Sequence, residues 1–304
     1  MKQVNYLFFK VLFAASLFLF VGSARLSAQQ QESGSTVDKF KLQQKGRFYV
    51  TWGYNRSWYE KSDIHFNGQG HEFTLYDVKA TDRPTKLSTK YISLANWSVP
   101  QFNFRVGYFL SDKYSVSIGW DHMKYVATDY QALRMTGRLD PTQVQDALMK
   151  TNMENMNALY APNGVYNNTQ VIMEPNNFLR YEHTDGFNFA TVDLERHDKL
   201  WQYSKYDRLG VSLVSGLGTG VIVPRTDAHL FGSGANHYWN VAGWGVDAKV
   251  AAQVSLSKHF FLESNLKTGY VRMLNVHTTN YYNTDKAKQN VVFYENNWLI
   301  GYRF

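Results

Sequence analysis

The sequence predicts an all-β chain that closes into an antiparallel transmembrane β-barrel of eight strands, with ten to twelve as the alternative, and three observations carry this expectation. Segments of the length a tilted membrane strand needs, about nine to eleven residues, alternate apolar with polar or small side chains. Phe, Trp and Tyr make up 16% of the 304 residues, yet beyond the first 28 no stretch is apolar over the roughly 20 residues a membrane helix requires. Very short polar turns alternate with much longer connections, an asymmetry usual in such barrels.

The chain opens on the pattern of a secretory signal: Lys2 and Lys10 supply charge, Val11 to Gly22 is apolar, and Leu26-Ser27-Ala28 offers small residues before Gln29. Residues 1–28 are therefore expected to be a cleaved signal peptide, residues 29–45 a flexible periplasmic segment, and residues 46–304 the barrel. Loss of Lys2, Lys10 and Arg25 lowers the formal net charge from +7 to +4, too modest an excess to suggest a nucleic-acid partner. With no cysteine, a disulfide, a thiolate metal site and a lipid-modified cysteine are all excluded.

In the first strand, Arg47 to Trp58, the apolar set Phe48, Val50, Trp52 and Tyr54 alternates with Tyr49, Thr51, Gly53 and Asn55. Gln101 to Leu110 sets Phe102, Phe104, Val106, Tyr108 and Leu110 against Asn103, Arg105, Gly107 and Phe109. After the turn Ser111-Asp112, Tyr114, Val116, Ile118 and Trp120 oppose Ser115, Ser117, Gly119 and Asp121, which marks a hairpin. Phe187 to Glu195, Arg208 to Val223, Trp239 to Leu256, Phe260 to Met273 and Val291 to Phe304 complete eight strands, with a second short turn at Ser257-Lys258. Eight strands put both short turns on the periplasmic side and every long connection outside; a further membrane strand over Glu72 to Lys79 would raise the count to ten or more.

If the apolar sets face lipid, the opposite parity gives the lumen, with bases Arg105, Lys249, Lys267 and Arg303 and acids Asp121, Asp193, Glu195, Asp247, Glu263 and Glu295. Eight strands leave a lumen just wide enough for side chains, so these charges are expected to pair into a plug; a permeation path needs more strands.

Between Thr128 and Phe178 lies a long connection in which Asp140-Pro141 reads as a helix start, followed by Val144, Ala147, Leu148, Met153, Met156 and Leu159 at roughly helical spacing. A short helix over the barrel mouth is expected, its methionine face used for packing. The first loop, from Trp58 through Phe66 to Val78, carries aromatic and charged residues suited either to a partner or to a strand that outruns the membrane.

One arrangement hints at catalysis: His183-Thr184-Asp185-Gly186 with Glu195 beyond. It is faintly similar to the His, Ser and Glu set of outer-membrane lipid A deacylases, but the nucleophile position holds Asp185, and a carboxylate cannot replace the hydroxyl there. His183, Asp185 and Glu195 are thus weak catalytic candidates. No cofactor or metal site is expected: His122 and His183 lack further converging ligands, and Gly216-Leu217-Gly218-Thr219-Gly220 lacks a P-loop lysine and reads as small lumen-facing residues or a bend in a strand.

The last residues, Leu299-Ile300-Gly301-Tyr302-Arg303-Phe304, resemble the C-terminal signature of bacterial outer-membrane barrels, which implies recognition by the barrel-assembly machinery through Phe304. The segments Trp52-Gly53-Tyr54-Asn55-Arg56, Phe73 to Val78, Pro100 to Phe109 and Asp121 to Val126 resemble a family of small, OmpA-like or porin-like outer-membrane β-barrel proteins of Bacteroidetes-type bacteria. The resemblance implies a cell outer-membrane location among outer-membrane lipids and lipopolysaccharide, and it transfers no catalytic residue. The expected function is that of a non-enzymatic barrel with a plugged lumen and surface loops for binding or structure, the alternatives being a narrow solute channel and a lipid A hydrolase.

Overall fold

A computed structural model describes residues 43–85, 100–203, 209–281 and 283–304, with side chains for all of these except 235–238. The expected signal peptide and residues 29–42 lie outside the described residues. Fourteen strands are present among those described: β1 (Phe48–Tyr59), β2 (Ser62–Gly68), β3 (His71–Val78), β4 (Ala80–Thr81), β5 (Phe102–Phe109), β6 (Tyr114–Ala127), β7 (Ala132–Leu139), β8 (Val165–Ile172), β9 (Leu179–Gln202), β10 (Gly210–Leu230), β11 (Ser233–Trp239), β12 (Gly243–Ser255), β13 (Phe260–His277) and β14 (Lys286–Arg303). One α-helix, α1 (Ala147–Tyr160), lies between β7 and β8.

Eight of these strands close a ring in the order β1-β5-β6-β9-β10-β12-β13-β14, with β14 pairing back to β1 from Tyr49↔Arg303 to Tyr59↔Phe293. All neighbours are antiparallel, and the ring strands are the eight read from alternation. Closure leaves no free edge in the wall, as a lipid environment demands. The two short turns form for the same local reason: Ser111 Oγ accepts the amides of Lys113 (3.3 Å) and Tyr114 (3.1 Å), and Ser257 Oγ accepts those of His259 (3.1 Å) and Phe260 (2.9 Å). At this end Gln44 and Lys45 donate their amides to Asp112 Oδ1, which ties down the close of the segment expected to be flexible. Arg47 latches the seam by donating from Nε to Phe304 O (2.8 Å) and from Nη2 to Lys258 O (3.0 Å).

The outward set forms an apolar belt around the ring: Phe48, Val106, Ile118, Val192, Leu266 and Ile300 are all exposed. Aromatic rings gather toward its rims, Phe48 with Tyr108 (4.8 Å between centroids) at one end and Trp244 with Tyr270 (6.4 Å) at the other.

At the long-loop end the wall continues into a flap. Residues Lys286–Gln289 of β14 run beyond the end of β1 and pair with Asn67–Ile64 of β2, after which β3, β7 and β8 extend the sheet, β8 forming its outer edge. The stretch from Glu72 to Val78 is therefore a strand that lies beyond the ring and does not enlarge it. Asp140 caps a single 3-10 turn over Pro141–Gln143; the α-helix begins later, its N-cap being Asp146, whose Oδ1 accepts the amides of Leu148 and Met149 at 2.9 Å each. The proline signal marked a turn because Val144 is extended and breaks the run. Met149, Met153 and Met156 are buried on one face of α1, while Asn152 donates to Phe231 O (3.0 Å) and Asn157 to Leu139 O (3.2 Å), so the helix bridges the β10–β11 turn and the flap. A single large apolar core lies beneath it, joining Ile64, Phe66, Phe73 and Leu75 of the flap to Tyr125, Phe187 and Phe293 of the ring.

Candidate functional site

The interior of the ring is the place where the sequence put its chemistry. All ten charged residues assigned there by parity, Arg105, Asp121, Asp193, Glu195, Asp247, Lys249, Glu263, Lys267, Glu295 and Arg303, are buried, none more than 7% exposed. Strand register stacks them into layers, since Asp193, Gly218 and Asp247 lie side by side on β9, β10 and β12, as do Glu195, Gly216, Lys249, Lys267 and Glu295 across β9 to β14.

Nearest the short turns, the Arg303 guanidinium lies 4.3 Å from the Phe261 ring centroid and donates to Ser255 Oγ (3.0 Å) and Gln253 Oε1. Tyr49 and Phe109 pack beside Phe261, and His197 Nε2 meets Ser115 Oγ at 2.9 Å. In the next layer Glu195 accepts from Lys249 Nζ (2.5 Å), Tyr49 OH, Ser115 Oγ (3.2 Å) and Ser117 Oγ (3.3 Å). Glu263 accepts from Gln253 Nε2 (3.0 Å) and Asn265 Nδ2 (3.1 Å), and Asn297 in turn donates to Asn265 (2.8 Å).

Deeper in, Arg105 pairs with Asp193 and lies 3.7 Å from Asp121 and 4.0 Å from Glu195. Lys267 Nζ donates to Asp121 Oδ2 at 2.5 Å and is 4.0 Å from Asp247 Oδ1. Asn103 also donates to Asp121, and Thr191 to Asp193 (2.7 Å). Arg105, Lys249 and Lys267 each lie within 4.0 Å of two or more carboxyl groups, an arrangement by which buried charge is made tolerable, while Arg303 is held by Ser255 and Gln253. Gly218 makes room for it: a Cβ there would stand 2.6 Å from both Asp193 Oδ1 and Asp247 Oδ2. The glycine run thus lines the lumen.

Above the charges the lumen becomes apolar. Phe187, Phe189, Val271, Met273, Val291 and Phe293, on the same inward parity, are all fully buried, with Phe189 and Phe293 edge to face at 6.0 Å. Parity identified these positions as inward, but the expectation of a polar lumen obscured their meaning. The neutral partners Tyr49, Asn103, Gln253, Asn265 and Asn297 were likewise legible by parity and carry much of the hydrogen bonding.

The three weak catalytic candidates are not brought together. His183 sits in an aromatic nest with Tyr125, Tyr181 and Phe187, its Nδ1 3.0 Å from Thr226 Oγ1. Complete burial pushes its pKa down to about 3. It stands beyond the belt, where the neighbouring positions are Arg180, Arg225 and Asp227. Asp185 faces Arg225 at 3.5 Å, and Glu195 belongs to the lumen network. Twelve residues of strand separate His183 from Glu195, roughly 40 Å of rise. His122 pairs with Asn188 (2.6 Å) and not with His183, and no cluster of three metal-ligating side chains occurs among the described residues.

No protein-family model and no curated protein sequence matches the chain. Among solved structures it is similar to the outer membrane protein OprG from Pseudomonas aeruginosa, at 10% identity and a TM-score of 0.40 over 86% of this chain and 97% of that one. It is similar also to the outer membrane protein AlkL in lipid bilayers (12%, 0.35, 91% and 97%) and to Neisserial surface protein A (8%, 0.34, 84% and 97%). The fold assignment rests on the closed eight-strand ring itself.

Proposed function

We propose that the chain is an integral outer-membrane β-barrel protein whose interior is closed and whose flap and helix form a surface for binding or structural support. The single observation that supports this most is the filling of the lumen by two chemically different layers, one ion-paired and one aromatic, with the charged side chains buried throughout. A water-filled path would leave some of those charges solvated. In this reading residues 1–28 direct export and are removed, the exposed apolar belt contacts outer-membrane lipid and lipopolysaccharide, and Phe304 is presented to the assembly machinery.

The test is conductance of the refolded protein in planar bilayers. A folded protein that gives no steps agrees with the closed lumen. Reproducible steps would overturn it in favour of a narrow channel lined by Arg105, Lys267, Asp247 and Glu263. Replacement of His183 should leave the lipid A profile of producing cells unchanged; an altered profile would reopen lipid hydrolysis.

A further inference from the structure

The outer face of the flap ends, on the side nearest the ring, in a cavity of about 480 Å³ whose lining includes Lys61, Tyr76, Asp77, Lys79, Gln131 and Arg134. Strand register builds it. Arg134 of β7 lies opposite Tyr76 of β3 and opposite Gln170 of β8, which places the three side by side across the sheet. Lys61 and Lys79 flank Ser62 and Val78, the pair that closes the β2–β3 hairpin at its ring end. The corner is held in shape: the Lys79 amide donates to Gln131 Oε1 (2.9 Å), and Gln131 Nε2 donates to Lys79 O (3.1 Å) and Thr128 O (2.8 Å).

Charge is what sets this cavity apart. Among the described residues Lys61, Lys79 and Arg134 make no ion pair, and Arg134 Nη1 reaches only the carbonyl of Asn168 (3.1 Å). Three cations therefore line the cavity with one carboxylate, Asp77, whose amide donates to Asp63 Oδ1 (2.9 Å) behind it. Another loop-end cavity shows the contrast: its arginines, Arg83 and Arg180, are both taken up by Glu182. Two excess positive charges on the lining, one of them a guanidinium, with Tyr76 and Gln170 beside them, match the charge of about −1.5 to −2 and the three acceptor oxygens of a phosphomonoester. We propose that this cavity binds a phosphomonoester group.

Lys61 lies two residues past Tyr59, the end of β1, so the cavity opens just above the lipid-facing wall. That height rests on the barrel spanning a membrane and would bring a phosphorylated lipid headgroup within reach; binding of phosphate itself does not rest on it. The experiment is a backbone amide NMR titration of the refolded full chain in phosphatidylcholine nanodiscs. In one arm inorganic phosphate is added; in the other the discs carry phosphatidic acid. Amides of residues 76–79 and 131–134 should shift, and the double variant Lys79→Gln/Arg134→Gln, on exposed positions outside the ring, should weaken phosphate binding about tenfold or more. Shifts induced by phosphatidic acid and reversed by inorganic phosphate identify a headgroup as the source. Shifts with inorganic phosphate alone identify a soluble phosphate ester and remove only the height argument. Equal titrations for the two proteins, or no shift at these residues in either arm, overturn the proposal.

Discussion

Lys267→Met removes one cation from the centre of the barrel while nearly conserving side-chain volume, and its cost follows from the contacts it breaks. Lys267 is 2% exposed, donates to Asp121 at 2.5 Å, stands 4.0 Å from Asp247 and pairs in register with Glu295. Removing one partner of a buried pair costs about 3–5 kcal/mol, because the remaining carboxylate is left in a low-dielectric interior. Asp121 keeps Asn103 as donor and has Arg105 at 3.7 Å, which argues for the lower part of that range, about 3 kcal/mol. The assay is equilibrium unfolding by urea in a detergent or lipid system where folding is reversible, followed by tryptophan fluorescence. Asp121→Asn in the Lys267→Met background removes the stranded charge and should recover about 1–2 kcal/mol as a coupling energy. A single variant within about 0.5 kcal/mol of the parent would refute the view that the lumen charges are desolvated and mutually dependent.

Three further outcomes are expected. Gly218→Ala places a methyl 2.6 Å from two carboxylate oxygens and should destabilise by about 1–3 kcal/mol in the same unfolding assay, with Asp247 or Asp193 displaced. His183 is held neutral, with a pKa near 3 when folded against an ordinary value of 6.5, so the unfolded chain binds the extra proton between those values; stability is complete above about pH 6.5 and falls as the solution is acidified toward 3, by about 5 kcal/mol at most, a fall that unfolding midpoints at pH 7 and pH 4 should reveal and that His183→Phe should diminish. His71, also lowered by burial, contributes in the same direction. Asp146→Ala withdraws the cap from Leu148 and Met149 and should cost about 1 kcal/mol, read as faster amide exchange in the first turn of α1 with the ring unaffected.

The ring was legible because a membrane wall forces a strict period of two: Phe48 through Tyr54 and Phe102 through Leu110 reveal their outward face by alternation, and the same parity pointed to ten charged positions that are buried. Turn chemistry at Ser111 and Ser257 fixed the orientation of two hairpins. The superstructure was harder to read. Strands β7 and β8 carry mixed patterns such as Ala132-Leu133-Arg134-Met135 and Val165-Tyr166-Asn167-Asn168, interrupted by bulges where Gly137 and Asn168 adopt positive φ, so no clean alternation survives. The helix was anticipated from its methionine spacing, yet Asp140 marked a separate turn, since an Asp before Pro caps either. The basic cavity had no local signal, because Lys61, Lys79 and Arg134 come together only through the pairing of β2, β3 and β7.

The two layers of the lumen also separate stability from permeability. The charged layer depends on each shared base, so a single neutral substitution there should weaken the fold; but Phe187, Phe189, Val271 and Phe293 occupy the same inward parity nearer the loop end and do not rely on those charges for their packing. A barrel loosened at Lys267 is therefore still stopped by aromatic side chains above. Loss of stability without gain of conductance is the combination expected of this geometry.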